Sequence, residues 1–137
     1  MRRAFADANL ILRYLTRDPP DMADASLKTF SAAQHGEICL ILIPVTVAEV
    51  VWVLESFYGY PKDRISVTMT EFLHSDGLEV MDVDIVIQAL SLYDEKNIDF
   101  ADALLAASAL SRGPNFICSF DRHFDRIPEI TRLEPGK

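Results

Sequence analysis

Hydrophobic positions along the chain alternate between a strand-like and a helix-like period. Ile38 to Ile43 is an unbroken apolar run stopped by Pro44, with the length and the β-branched content of a strand covered on both faces. Shorter strand-like stretches are Arg3 to Ala6, Leu78 to Met81, and Asn115 to Ser119, the last read as buried. Thr131 to Leu133 reads as a short edge strand. Between these, the apolar spacing turns helical. Asn9 to Leu15 reads as a helix that Asp18-Pro19-Pro20 stops. Asp21 to Ala33 carries apolar Met22, Ala25, Phe30 and Ala33, and Gly36 stands where a C-terminal cap belongs. Thr46 to Phe57 and Lys62 to His74 follow, split by Gly59-Tyr60-Pro61, and then Asp84 to Lys96 and Phe100 to Arg112. Helices interleaved with strands predict an α/β fold, a parallel sheet with helices on both faces. Ligands of such sheets bind beyond the carboxyl ends of the strands, so the residues just after each strand hold the chemistry.

Composition narrows the class. The chain has 137 residues, half of them hydrophobic and a quarter charged, which suits one domain spanning residues 1–137 with a real core and excludes a disordered chain. No apolar run approaches the ~20 residues of a membrane span. Met-Arg-Arg reaches Asp7 before a signal-type apolar stretch can form, so the expected location is the cytoplasm. Cys39 and Cys118 are isolated and read as small buried apolar side chains rather than a disulfide or zinc pair.

The formal charge of −8 argues against a broad basic surface for gripping nucleic acid. It leaves room for a metal-dependent nuclease whose acids sit in one pocket, and it favours a basic protein partner or oligomerisation. No phosphate-cradling G-x-x-x-x-G-K-[ST] or G-x-G-x-x-G motif occurs, and no G-x-S-x-G elbow.

Four acids follow strands or open helices: Asp7, Glu49, Asp102 and Asp121. Each has a plain structural explanation. Thr46-Val-Ala-Glu49 fits a capping box, and Asp99-Phe-Ala-Asp102 pairs an Asp cap with an acid in the first helical turn. Asp7 and Asp121 could cap a helix and a turn. As a group they point elsewhere. Like charges gathered at one sheet edge repel, and divalent cations are what makes such a set tolerable. Oxygen donors without cysteine or paired histidine select hard ions, Mg²⁺ or Mn²⁺. Carboxylates holding such ions serve phosphoryl chemistry.

The segments FADANLILRYL, TVAEVVWVLESFYGY, DFADALLAASA and FICSFDRHF resemble the PIN-domain ribonucleases, and among them the VapC-type toxins of toxin–antitoxin pairs. The resemblance spans nearly the whole chain in the family's order. It implies a three-layer α/β/α fold and hydrolysis of RNA phosphodiesters, dependent on Mg²⁺ or Mn²⁺. The family's acids fall on Asp7, Glu49, Asp102 and Asp121. Asp7 and Asp102 are the expected direct ligands, with Asp121 and Glu49 ligating through water or placing the attacking water. Asn9 and Ser119 read either as groups that orient carboxylates or as plain helix-start and turn residues, and Asp99 and Asp125 are auxiliary acids.

Other features leave alternatives open. His123 sits among Asp121, Arg122 and Asp125 and reads as a solvent-exposed turn residue, able to touch substrate. Of the basic residues near the proposed site, Arg13, Arg112, Arg122 and Arg126, some could contact RNA phosphates, while most read as solvated or paired with acids. Thr46 to Phe57 is apolar almost all round, either as a helix buried in the monomer or, favoured here, as a homodimer interface. The expected partners are RNA, a cognate antitoxin and a second copy of the chain. The alternatives are a PIN-domain nuclease of RNA maturation and a non-catalytic Mg²⁺-binding signalling module. A receiver-like domain would want a lysine near the last strand, and none lies there.

Overall fold

In the computed structural model, which describes residues 2–137, the chain forms two compact units, Met1–Val83 and Asp84–Lys137. The first holds strands β1 (Arg2–Phe5), β2 (Ile38–Leu42) and β3 (Leu78–Val80) and helices α1 (Ala8–Thr16), α2 (Pro20–Gln34), α3 (Pro44–Ser56) and α4 (Lys62–Leu73). The strands pair in parallel in the order β1-β2-β3, with Arg2 opposite Ile38 and Leu40 opposite Leu78. The apolar run therefore takes the central position, and its Leu40, Ile41 and Leu42 are buried, as a doubly covered strand requires. Tyr14, Phe30 and Phe72 bring α1, α2 and α4 together as an aromatic cluster with centroids 4.5 to 6.0 Å apart. Gly77, just before β3, has φ +87° and faces the backbone of Ala33 so closely that a Cβ would overlap it.

The second unit contains α5 (Val83–Glu95), α6 (Phe100–Arg112), β4 (Phe116–Cys118), a short 3-10 helix (Arg122–Arg126) and β5 (Thr131–Leu133). β4 and β5 pair in parallel, Ile117 opposite Arg132. Phe124 and Ile127 are buried and anchor the 3-10 helix and the turn after it. Parallel pairing with helices between strands is the fold class that the hydrophobic pattern predicts. No helix among the described residues is long and apolar enough to cross a membrane.

Three local expectations need correction. α3 starts at Pro44, two residues before Thr46, with Ile43 as its cap residue and proline at the first helical position. Proline there has its φ preset for a helix and lacks only an amide that would be unpaired anyway. Thr46 thus donates its amide to the Ile43 carbonyl inside the first turn, and the Thr46–Glu49 capping box does not form. In β4 only Ile117 is buried, while Phe116 and Cys118 are exposed, so the strand is not a fully covered one. Neither cysteine is the buried apolar residue expected: Cys39 is half-buried and Cys118 exposed, both as free thiols.

Candidate active site

Parallel strands deliver their carboxyl ends to one edge. In the first unit, Ala6 donates its amide to the Ile41 carbonyl at 2.9 Å, so the chain leaving β1 emerges beside the end of β2. Asp7 follows at once. Its backbone is extended and its Oδ1 accepts the Leu10 amide at 2.9 Å, which makes it the N-cap of α1. That bond fixes one carboxylate oxygen of an exposed residue. Asp7 and Asn9 line a surface hollow of about 420 Å³ together with Arg13, Ser26 and Thr29. Arg13 spans the α1–α2 turn, its Nη1 donating to the Asp18 carbonyl at 3.2 Å, while its buried Nε has no hydrogen-bond partner. Glu49 is exposed on α3 and is not among the residues lining this hollow.

The second unit brings two of the expected acids together. Asp102, in the first turn of α6, and Asp121, after β4, are both half-buried. One donor atom each of Asp102, Asp121 and His123 lies within 4.8 Å of the other two. Burial pushes the Asp102 carboxyl above the ordinary aspartate range, and the negative charges of Asp121 and Asp99 push it further; His123 acts in the opposite direction. Asp102 also shares a side-chain hydrogen bond with Asp121, which favours its protonated form. Asp99 occupies the N-cap position of α6 but makes no capping bond with its side chain, so the Asp99 cap read from the sequence is present in position only.

Asp121 is held from both ends. Its amide donates to Ser119 Oγ at 2.9 Å, and its Oδ1 accepts the His123 amide at 2.8 Å. Ser119 is in turn tied to β5, because Arg132 Nη1 donates to the Ser119 carbonyl at 2.9 Å. Arg132 also pairs with Asp125 at 3.1 Å and with Glu134. Asp125 is thus engaged by an arginine.

His123 is the exposed turn residue read from the sequence, but its place beside Asp121 and Asp102 was not read there. Its Nδ1 lies 3.2 Å from Asp121 Oδ1. The available signal was the Asp121-x-His123 spacing after a strand: an aspartate that accepts the amide two residues on folds the chain into a turn and returns that residue to its side.

The donor set suits a divalent cation. Donors about 2.0–2.4 Å from one ion lie within about 4–5 Å of each other, and the three groups meet that limit. Two clustered carboxylates, one with its pKa raised by burial and by its acidic neighbours, are the electrostatic counterpart of a bound positive charge.

Comparison with known proteins gives two results. No curated protein matches the chain. A family model of the PIN domain matches residues 4–130.

Proposed function

Since the chain belongs to the PIN-domain family, a nuclease fold, we propose that it is a divalent-cation-dependent endoribonuclease and the toxin of a toxin–antitoxin pair. The observation that carries the proposal is the meeting of Asp102 and Asp121, two like charges, with His123 in one cluster of donor atoms.

In this reading Asp102 and Asp121 hold a Mg²⁺ or Mn²⁺ ion. When bound, the cation supplies positive charge that favours ionisation of an attacking water and neutralises the leaving oxygen. The chain's own part is to place and charge the donors. Asp102, whose charged form burial and the neighbouring acids disfavour, would be favoured in that form beside a bound cation. Ser119 fixes the backbone from which Asp121 projects. The likeness of the segments around Asp7 and Glu49 to the family's acid positions supports catalytic roles for both, with Asn9 orienting a carboxylate, and Asp99 would add negative potential beside Asp102. In-line hydrolysis by water requires no nucleophilic side chain and no 2′-hydroxyl attack.

The toxin assignment is supported by the likeness of FADANLILRYL and DFADALLAASA to VapC-type segments. A chain of charge −8 suits a basic antitoxin segment that places Arg or Lys among the carboxylates. The exposed Val45, Trp52 and Phe57 on and beside α3 support a homodimer through that helix.

Two measurements test the proposal. Purified protein should cleave single-stranded RNA with Mg²⁺ or Mn²⁺ and not in EDTA, and Asp102→Asn should be inactive while folded. Expression of the wild-type chain should arrest growth, and Asp102→Asn should not. Cleavage that persists undiminished in Asp102→Asn would end the nuclease-site assignment. Cleavage without growth arrest would leave a maturation enzyme in place of a toxin.

A further inference from the structure

We propose that His123 supplies a nitrogen donor to the cation held by Asp102 and Asp121, so that the site favours first-row transition ions over Mg²⁺. This rests on the reading of Asp102 and Asp121 as cation ligands and adds to it which ion the site selects.

The geometry carries the argument. Two donors about 2.1–2.2 Å from an ion and at right angles around it are about 3 Å apart. His123 Nδ1 and Asp121 Oδ1 stand 3.2 Å apart. The same imidazole meets Asp102 within the 4.8 Å limit of the cluster. Its backbone is not free to drift. The His123 amide is bonded to Asp121, and the next residue, Phe124, is 2 % exposed and holds the 3-10 helix down. The ring itself is about half exposed, so it can turn about its χ angles from pairing with Asp121 to ligating beside it.

A simple ion pair between His123 and Asp121 is a weak reason for this arrangement, because exposed pairs contribute little. A mixed nitrogen and oxygen donor set has a specific chemical consequence. Mg²⁺ takes oxygen donors and gives up its waters reluctantly. Imidazole suits the later divalent ions, whose affinity for such sites rises from Mn²⁺ through Co²⁺.

The test is calorimetric titration of the wild type, His123→Asn, His123→Gln and Asp102→Asn with Mg²⁺, Mn²⁺ and Co²⁺. Pulsed electron paramagnetic resonance of the Mn²⁺ forms accompanies it. Both His123 variants keep the backbone amide that Asp121 accepts. We expect each to lose about tenfold or more in Mn²⁺ and Co²⁺ affinity while Mg²⁺ affinity changes little. The ¹⁴N modulation of coordinated imidazole should be present in wild type and absent in both. Unchanged Mn²⁺-to-Mg²⁺ ratios, or a wild-type spectrum without nitrogen modulation, would overturn the inference. Asp102→Asn separates the two levels. If it loses all three ions while the His123 variants match wild type, the cation site stands and only the role of His123 fails. If it binds them as wild type does, the site reading itself fails.

Discussion

Arg132 Nη1 reaches from β5 to the Ser119 carbonyl at 2.9 Å, so an arginine on one strand positions the segment that presents Asp121 from its neighbour. A charged donor to a carbonyl is stronger than a neutral one and directional. Arg132→Met should release the Ser119 turn and let Asp121 wander. The expected result is a roughly 10–100-fold loss of Mn²⁺ affinity by calorimetry, the usual effect of removing a group that orients a ligand. Ser119→Ala should act in the same direction. Affinities equal to wild type in both would show that Asp121 is held by its own turn alone.

Asp7 has two separable tasks. As a cap it accepts the Leu10 amide, which asparagine does equally well and alanine does not. Asp7→Asn should therefore melt with wild type, while Asp7→Ala loses about 1 kcal/mol in urea denaturation. Both should fail to cleave RNA, because both lack the carboxylate charge. An active Asp7→Asn would confine this residue to capping.

The raised Asp102 pKa gives a pH dependence with a definite sign. The folded state holds this proton more tightly than the unfolded chain does, so folding is not penalised at pH below the ordinary aspartate value. As pH rises from that value through the raised one, the penalty for a charged Asp102 appears, and above it the penalty is constant. In EDTA, Asp102→Asn should match wild type near pH 3 and exceed it in melting temperature at neutral pH. Saturating Mn²⁺ should reverse the order, since an ion bound only by the folded state adds about 2.7 kcal/mol at a hundred times its Kd. A difference between the two proteins that stays flat from pH 3 to 7 in EDTA would contradict the assigned sign.

Gly77 tests the packing of α2 against the approach to β3. Its φ of +87° suits glycine, and a Cβ would overlap the Ala33 backbone. Gly77→Ala should destabilise the protein by more than about 1 kcal/mol, against the gain of up to about 1 kcal/mol that the exchange brings where the backbone accepts it. A stabilised variant would mean that Ala33 can yield.

What was legible in the sequence follows from the length over which each signal is written. α6 was read from Phe100 to Arg112 as observed, because a long apolar stripe, an Asp before it and Gly113 after it agree. The approach of Asp102 to Asp121 follows from where a helix start and a strand end lie in an α/β fold. β4 was misjudged because three residues carry no period, and an apolar triplet reads alike whether one side chain is buried or all are. The start of α3 was misplaced because two valid start signals compete there, and Pro44 acts earlier than Thr46. His123 was legible as an exposed turn residue but not as a neighbour of Asp102, because its place depends on one turn formed by Asp121, which spacing alone permits but does not require.

Trp52, 68 % exposed on α3, is the single tryptophan of the sequence. Its indole is thus a built-in optical reporter restricted to that face. Emission from the whole protein comes from water-facing indole while α3 is bare, and any body that settles over the helix shifts it to the blue without a label or a mutation. Dilution followed at the emission maximum then reads the occupancy of this face directly, whether a second copy or another protein covers it.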